Sequence, residues 1–202
     1  MNNNNQNICI HCGFCCDGTL FSYANIKKNE QIAKGFSFEI IESEKLGFKL
    51  PCDYLRGKVC SIYQERPYSI CEAFQCKLLK ALRTGNIPFD DAMKIIDQVT
   101  ELKSKIEQQL LEYHPENKGD SIIGKMKEFN SYFKGTMCEA EFRKKYGKMI
   151  LDYFMLNKVL NNKFSTWNRF GIFELFAVKK RIGFNQFFDF ARGMNPGLAQ
   201  GG

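Results

Sequence analysis

The sequence predicts a mainly α protein with a small irregular Cys-rich module at its start, room for a short β-hairpin, and a helical C-terminal region. Three observations predict this. Eight of the nine cysteines lie between residues 9 and 76. Alternation of apolar and polar residues, the mark of a half-buried strand, is confined to two short stretches between residues 36 and 50. From Ser69 onward the apolar residues recur at steps of three and four, which is helical spacing. The boundaries that follow are a disordered tail over 1–8, a Cys-rich metal-binding module over 9–84 and a helical region over 85–196 that packs on it.

The tail, Met1-Asn2-Asn3-Asn4-Asn5-Gln6-Asn7, is polar, uncharged and of low complexity. It has neither the basic start nor the apolar stretch of a secretory signal. The module opens with Cys9-Ile10-His11-Cys12-Gly13-Phe14-Cys15-Cys16-Asp17-Gly18. Short spacings with interleaved Gly predict a loop, because a turn that wraps an ion needs unusual backbone angles. Phe36–Ile40 and Leu46–Leu50 alternate around the polar Glu42, Ser43 and Glu44, which predicts the hairpin. Pro51-Cys52 ends it and brings a thiol back toward the first group.

Ile70, Phe74, Leu78, Leu79 and Leu82 fall on one face of a helix that starts at Ser69 and stops near Gly85-Asn86. Pro88 opens the longest helix, with Asp90 and Asp91 in its first turn where negative charge suits the helix dipole. Ala92, Ile96, Val99, Leu102, Ile106, Leu110 and Tyr113 then recur on one face for about seven turns at 3.6 residues each, until His114-Pro115. Further helices are expected over 120–134, 139–162, 167–182 and 184–192, and Gly197–Gly202 should fray. The 19 Phe residues suit either a Phe-packed interior or an apolar docking surface.

The 202 residues suffice for one domain or two small ones with a real core. With 44% hydrophobic and 25% charged residues the composition is that of an ordinary globular protein. The net charge of +7 is spread as a formal +2 up to residue 80 and +5 beyond it, so no dedicated basic arm exists. Arg143-Lys144-Lys145 with Lys148, and Lys179-Lys180-Arg181, read as solvated helix faces. A phosphate-binding module would concentrate its charge, so the distribution argues against a nucleic-acid partner. No window approaches the 18 or so apolar residues of a membrane span, and the chain is expected to be cytoplasmic.

In a reducing compartment a thiol cluster is metal chemistry rather than a disulfide framework. Thiolates are soft anionic donors that favour zinc, copper(I) or iron–sulfur iron over hard cations. Cys9-x2-Cys12-x2-Cys15 lets three thiolates reach three corners of a cubane cluster, with a fourth from elsewhere. The same Cys9-x2-Cys12 pair also serves as half of a tetrahedral zinc site, with a second pair from Cys52, Cys60, Cys71 or Cys76. Cys15 and Cys16 are adjacent, and consecutive side chains diverge, so one can ligate while the other faces a second site. Eight cysteines suffice for two four-thiolate sites, and a single site with spare cysteines is equally allowed.

Cys9-x2-Cys12-x2-Cys15-Cys16, followed by Cys52, Cys60-Ser61-Ile62-Tyr63, Arg66-Pro67, Cys71, Phe74 and Cys76, resembles the YkgJ-type CxxCxxCC family of zinc- or iron-chelating proteins. The resemblance spans about residues 9–80. It implies that Cys9, Cys12, Cys15, Cys16, Cys52, Cys60, Cys71 and Cys76 are the metal-binding set, holding a zinc ion or an iron–sulfur cluster. One relative, the flagellin lysine N-methylase, couples such a motif to protein methylation. Family members often carry a basic residue after the cysteine that matches Cys71. Here it is Glu72, which leaves Arg66 as the local source of positive charge.

His11 is read as a loop residue among thiols that form complete sets without it, His114 as a helix-end residue, and Cys138 as an isolated thiol. Asp17 and Asp53 are carboxylates within reach of the metal. With two His and no Gly-rich phosphate loop or nucleophile elbow, most acid–base schemes lack parts. The expected function is metal binding through the cysteines, with the helical region recognising a protein partner or substrate. The alternative is an iron–sulfur enzyme that modifies a protein side chain, lysine-methylase-like.

Overall fold

The computed structural model describes residues 4–27, 30, 39–42, 45–65, 68–117, 120–133 and 136–165. Among them the architecture is mainly α, with two small antiparallel sheets near the start. The expected helices over 167–182 and 184–192, the Lys179–Arg181 run, and Arg66-Pro67 lie outside the described residues.

The first element departs from the expected tail and loop. Helix α1 covers Asn4–Cys12 and buries Ile8. A Cys-x2-Cys spacing is also the i, i+3 spacing of one helix face, so the pair suits a helix as well as a loop. Gly13, at φ +66°, ends α1. Its N–H donates to the Cys9 carbonyl at 3.1 Å, the single bond of the left-handed C-cap that glycine adopts without steric cost.

The hairpin is present, with a partner that the sequence did not announce. Strand β2 (Glu39–Glu42) pairs antiparallel with β3 (Lys45–Lys49), with an irregularity between Ile40 and Glu42. Strand β1 (Tyr23–Asn25) pairs with the other edge of β3, setting Ala24 opposite Phe48, so the order is β1-β3-β2. A second hairpin joins β4 (Leu55–Arg56) to β5 (Val59–Cys60) through Gly57 at φ +62°. Ile26, Phe48, Leu50 and Tyr68 form a small apolar cluster beneath these strands.

The single helix expected from Ser69 is broken in two. Helix α2 (Ser69–Ala73) stops at Phe74, and α3 (Lys77–Arg83) begins after Cys76, which is extended at ψ 162° and accepts the Leu79 N–H on its sulfur at 3.3 Å. A side-chain acceptor at the N-cap satisfies a donor that the first helical turn leaves orphaned. Helix α3 ends in a Schellman motif: Asn86 N–H donates to the Ala81 carbonyl at 2.8 Å and Gly85 N–H to that of Leu82 at 3.2 Å, with Gly85 at φ +74°.

Helix α4 (Phe89–Tyr113) has the expected limits, Pro88 before it and His114 after it. Its predicted apolar face is buried at Ala92, Ile96, Val99, Ile106 and Leu110, against α6 (Glu139–Lys163) and α5 (Ile122–Phe133). The Phe-rich composition is partly explained here as interior. Phe129, Phe133, Phe142 and Tyr113 ring Tyr146 with centroids 4.9 to 5.1 Å away, several of them edge-on, an arrangement worth more than area burial alone. Lys144, Lys145 and Lys148 are exposed on α6. Cys138 is an exposed N-cap of α6, its N–H bonded to the Glu141 carboxylate at 3.2 Å.

The larger core is continuous from the Cys-rich module into the helices. Ile8, Phe14, Leu20, Leu78 and Leu79 belong to one apolar cluster with the buried faces of α4, α5 and α6. Phe14 meets Phe164 at 5.5 Å, edge to face. Gly18 marks the closest backbone approach: at φ +80°, a Cβ there would lie 2.4 Å from the Cβ of Ser121 at the start of α5. Among the described residues no helix is long and apolar enough to cross a membrane.

Candidate metal centre

All nine cysteines are free thiols. Eight of them come from four places in the fold: Cys9 and Cys12 on α1, Cys15 and Cys16 in the turn after it, Cys52 and Cys60 around the β4–β5 hairpin, and Cys71 and Cys76 at α2 and the cap of α3. Helix α1 packs against α3 and β5, which brings the late cysteines back to the early ones. Cys52 N–H donates to the Cys16 carbonyl at 2.8 Å, and Ser61 N–H to that of Tyr54 at 2.9 Å, fixing the hairpin beside the turn.

The thiols influence one another in a pattern. Burial is the largest effect on Cys12, and its thiol is pushed well up, opposed by a backbone N–H bond from Phe14 and reinforced by Cys76, Cys9 and Asp17. Cys15 is raised by burial first, then by Cys12, Cys76, Cys16 and Cys9. Cys16 is pushed up to about 12 by burial, then by Cys52, Cys60 and Cys71. Burial likewise lifts Cys71 to about 11, with Cys52 and Cys60 adding to it, and it raises Cys52 and Cys76. Desolvation and nearby negative charge both favour the neutral thiol. Without a cation these groups stay protonated.

Counterweights are built in. Backbone N–H groups of Phe14, Tyr54, Tyr68 and Leu79 bond to the sulfurs of Cys12, Cys52, Cys71 and Cys76 and favour the thiolate. Lys80 acts on Cys76 and Arg56 on Cys52 in the same direction. Asp17 is engaged rather than open: it accepts Thr19 N–H at 2.8 Å and the Lys103 ammonium at 2.7 Å, a half-buried pair that ties the cysteine turn to α4. The Asp53 backbone carbonyl accepts from Arg56. His11 is exposed on the last turn of α1. Glu72 is exposed on α2.

As they stand, the side chains are neighbours and not a closed shell. Among the described residues no three His, Cys, Asp or Glu side chains are drawn together tightly enough to grip an ion. Protonated thiols have no reason to converge, and thiolates gathered round a point repel one another until a cation holds them. The donor chemistry nevertheless fits soft metals: sulfur only, several donors deep, with backbone N–H groups already aimed at four of them.

Lys103 and the capping role of Cys76 were not found from sequence. A lysine 86 residues from Asp17 carries no local signal. Cys76 is followed directly by Lys77-Leu78-Leu79, an unbroken continuation of the helical pattern that hides the start of α3.

Comparison with known proteins adds one finding. Residues 8–103 match the CxxCxxCC family, described as a "Putative zinc- or iron-chelating domain". Neither a curated protein nor a solved structure matches the chain.

Proposed function

We propose, for a chain whose residues 8–103 are a CxxCxxCC domain, that it is a metal-binding protein in which Cys9, Cys12, Cys15, Cys16, Cys52, Cys60, Cys71 and Cys76 are the donors. In this reading the metal is zinc or the iron of an iron–sulfur cluster, and the helical region serves partner recognition. The carrying observation is the return of Cys52, Cys60, Cys71 and Cys76 to the Cys9–Cys16 segment, close enough for the thiols to raise one another's pKa. Burying that many thiols beside one another costs stability unless a cation converts them to shared ligands. When bound, zinc would supply a fixed tetrahedral centre, and a cluster would add electron transfer.

Metal binding is then folding energy for the module. The test is anaerobic purification of the full chain, followed by metal and acid-labile sulfide analysis and an absorption spectrum. Zinc in a colourless protein or iron with sulfide in a brown one supports the reading, and either answer fixes the metal. Well-folded, reduced protein that carries no transition metal and takes none up sinks it.

A further inference from the structure

We propose that the cysteines form two separate four-thiolate centres, an inner one of Cys9, Cys12, Cys15 and Cys76 and an outer one of Cys16, Cys52, Cys60 and Cys71. The inference rests on the metal-binding reading above and goes beyond it by assigning each ligand to a centre.

The fold separates the two sets at a single peptide bond. After Gly13 the chain turns, with Cys16 and Asp17 N–H groups both donating to the Gly13 carbonyl at 2.8 and 3.0 Å. Cys15 and Cys16 therefore sit side by side in a tight turn. Cys15 packs against the large helical core, as do Cys12 and Cys76. On the other side, the Cys16 carbonyl holds Cys52, which packs against the second apolar cluster of Ile26, Phe48, Leu50 and Tyr68. Cys60 lies in β5 opposite Leu55, three residues after Cys52. Cys12, Cys15 and Cys76 thus rest on one piece of hydrophobic support and Cys52 on another.

The remaining thiols follow their elements. Cys9 lies one turn before Cys12 on α1. Cys71 donates its N–H to the carbonyl of Tyr68 at 2.9 Å, and both Tyr68 and the adjacent Ile70 belong to the second apolar cluster. Four thiolates are what a tetrahedral zinc site or a cubane cluster takes, and eight exceed what either can use. A single centre would leave four clustered thiols without a ligand role.

Two measurements on the full chain test this. In the first, metal per chain is compared between the wild type and the variants Cys12→Ser/Cys76→Ser, Cys52→Ser/Cys71→Ser and the combination of all four. Each pair is expected to halve the metal content and the combination to abolish it. Complete loss from one pair in a protein that keeps its helical circular dichroism overturns the division, as does a pair that loses nothing. The second needs no variant: the wild type is partly stripped with chelator, alkylated, and read by mass spectrometry. Cys52, Cys60 and Cys71 are expected to become labelled together, in molecules whose Cys12 and Cys76 remain protected, or the reverse. Molecules with Cys12 and Cys52 labelled while Cys76 and Cys71 stay protected overturn the proposal. A wild type that holds no metal fails the metal-binding reading itself, so the two failures are distinct.

Discussion

Gly18→Ala is a stringent test of how the cysteine turn is seated on the helices. The glycine lies at φ +80°, and a Cβ there would meet the Ser121 Cβ at 2.4 Å, with the Leu50 carbonyl oxygen at 3.5 Å. Two costs add. A left-handed backbone costs a non-glycine residue about 1–2 kcal/mol. Forcing a methyl group into a filled contact costs about 1–3 kcal/mol, since neither backbone nor a Cβ can rotate away. Gly57→Ala separates the two, because Gly57 has a similar φ of +62° and nothing within 4 Å of the added carbon. The difference between the variants is the contact alone, about 1–3 kcal/mol. In urea unfolding of the metal-loaded protein, followed by far-ultraviolet circular dichroism, that is a midpoint lower by roughly 0.5–1.5 M, at a slope of about 2 kcal/mol per M. Ser121→Gly removes the opposing Cβ at a cap cost of a few tenths of a kcal/mol, and in combination it should recover most of the contact part of the loss. If Gly18→Ala and Gly57→Ala unfold at the same urea concentration, the close approach of turn and helix is wrong.

Three further outcomes follow from the structure. Lys103→Met strands the half-buried Asp17 carboxylate, and a cycle with Asp17→Asn should show about 1–2 kcal/mol of coupling in the same urea assay, below the 3–5 kcal/mol of a fully buried pair because both groups keep some solvent. Zero coupling would show that the pair does not hold the turn to α4. Glu30 accepts the N–H groups of Lys27 and Ser69 at 2.7 and 2.6 Å, and these bonds hold its carboxyl below the ordinary 4.5. A depressed carboxylate stabilises the fold above its unfolded value and loses that contribution as pH falls through the folded one. The advantage of wild type over Glu30→Gln in thermal unfolding should therefore be full near neutrality and fade below about pH 4.5, and a pH-independent gap would contradict it. Ile106, wholly buried on α4, should cost about 2–5 kcal/mol on truncation to Ala, while Leu111, 62% exposed, should cost less than about 0.5 kcal/mol. Equal losses in urea unfolding would mean that α4 presents a different face.

The long helices were readable because burial on one face leaves a periodic trace: Ala92, Ile96, Val99, Ile106 and Leu110 are both the predicted stripe and the buried one. Proline and His114 marked the ends of α4 for local steric reasons. The β1 strand left almost no trace, since Tyr23–Asn25 is three residues long and three residues cannot display a period. The split between α2 and α3 was hidden because the apolar spacing runs straight through it, and the sulfur that caps the start of α3 is absent from ordinary capping preferences. The Cys-rich character of the first 76 residues was legible from density and order alone. Which thiols become neighbours was not, because it depends on contacts such as the Cys16–Cys52 backbone bond, across 36 residues.

Cys76 is a hinge point between two distant parts of the chain. Its sulfur accepts the Leu79 N–H in the first turn of α3, while the next residue, Lys77, donates its backbone N–H to the Phe164 carbonyl at 3.1 Å and its ammonium to that of Asn161 at 3.0 Å, 84 positions along the chain. The closing turn of α6 is thus fastened to the residue that follows the capping sulfur of α3. Any change in the electron density or position of that sulfur alters the first turn of α3, and with it the anchorage of the α6 terminus. Linkage makes the traffic two-way: whatever steadies the end of α6 also steadies the sulfur.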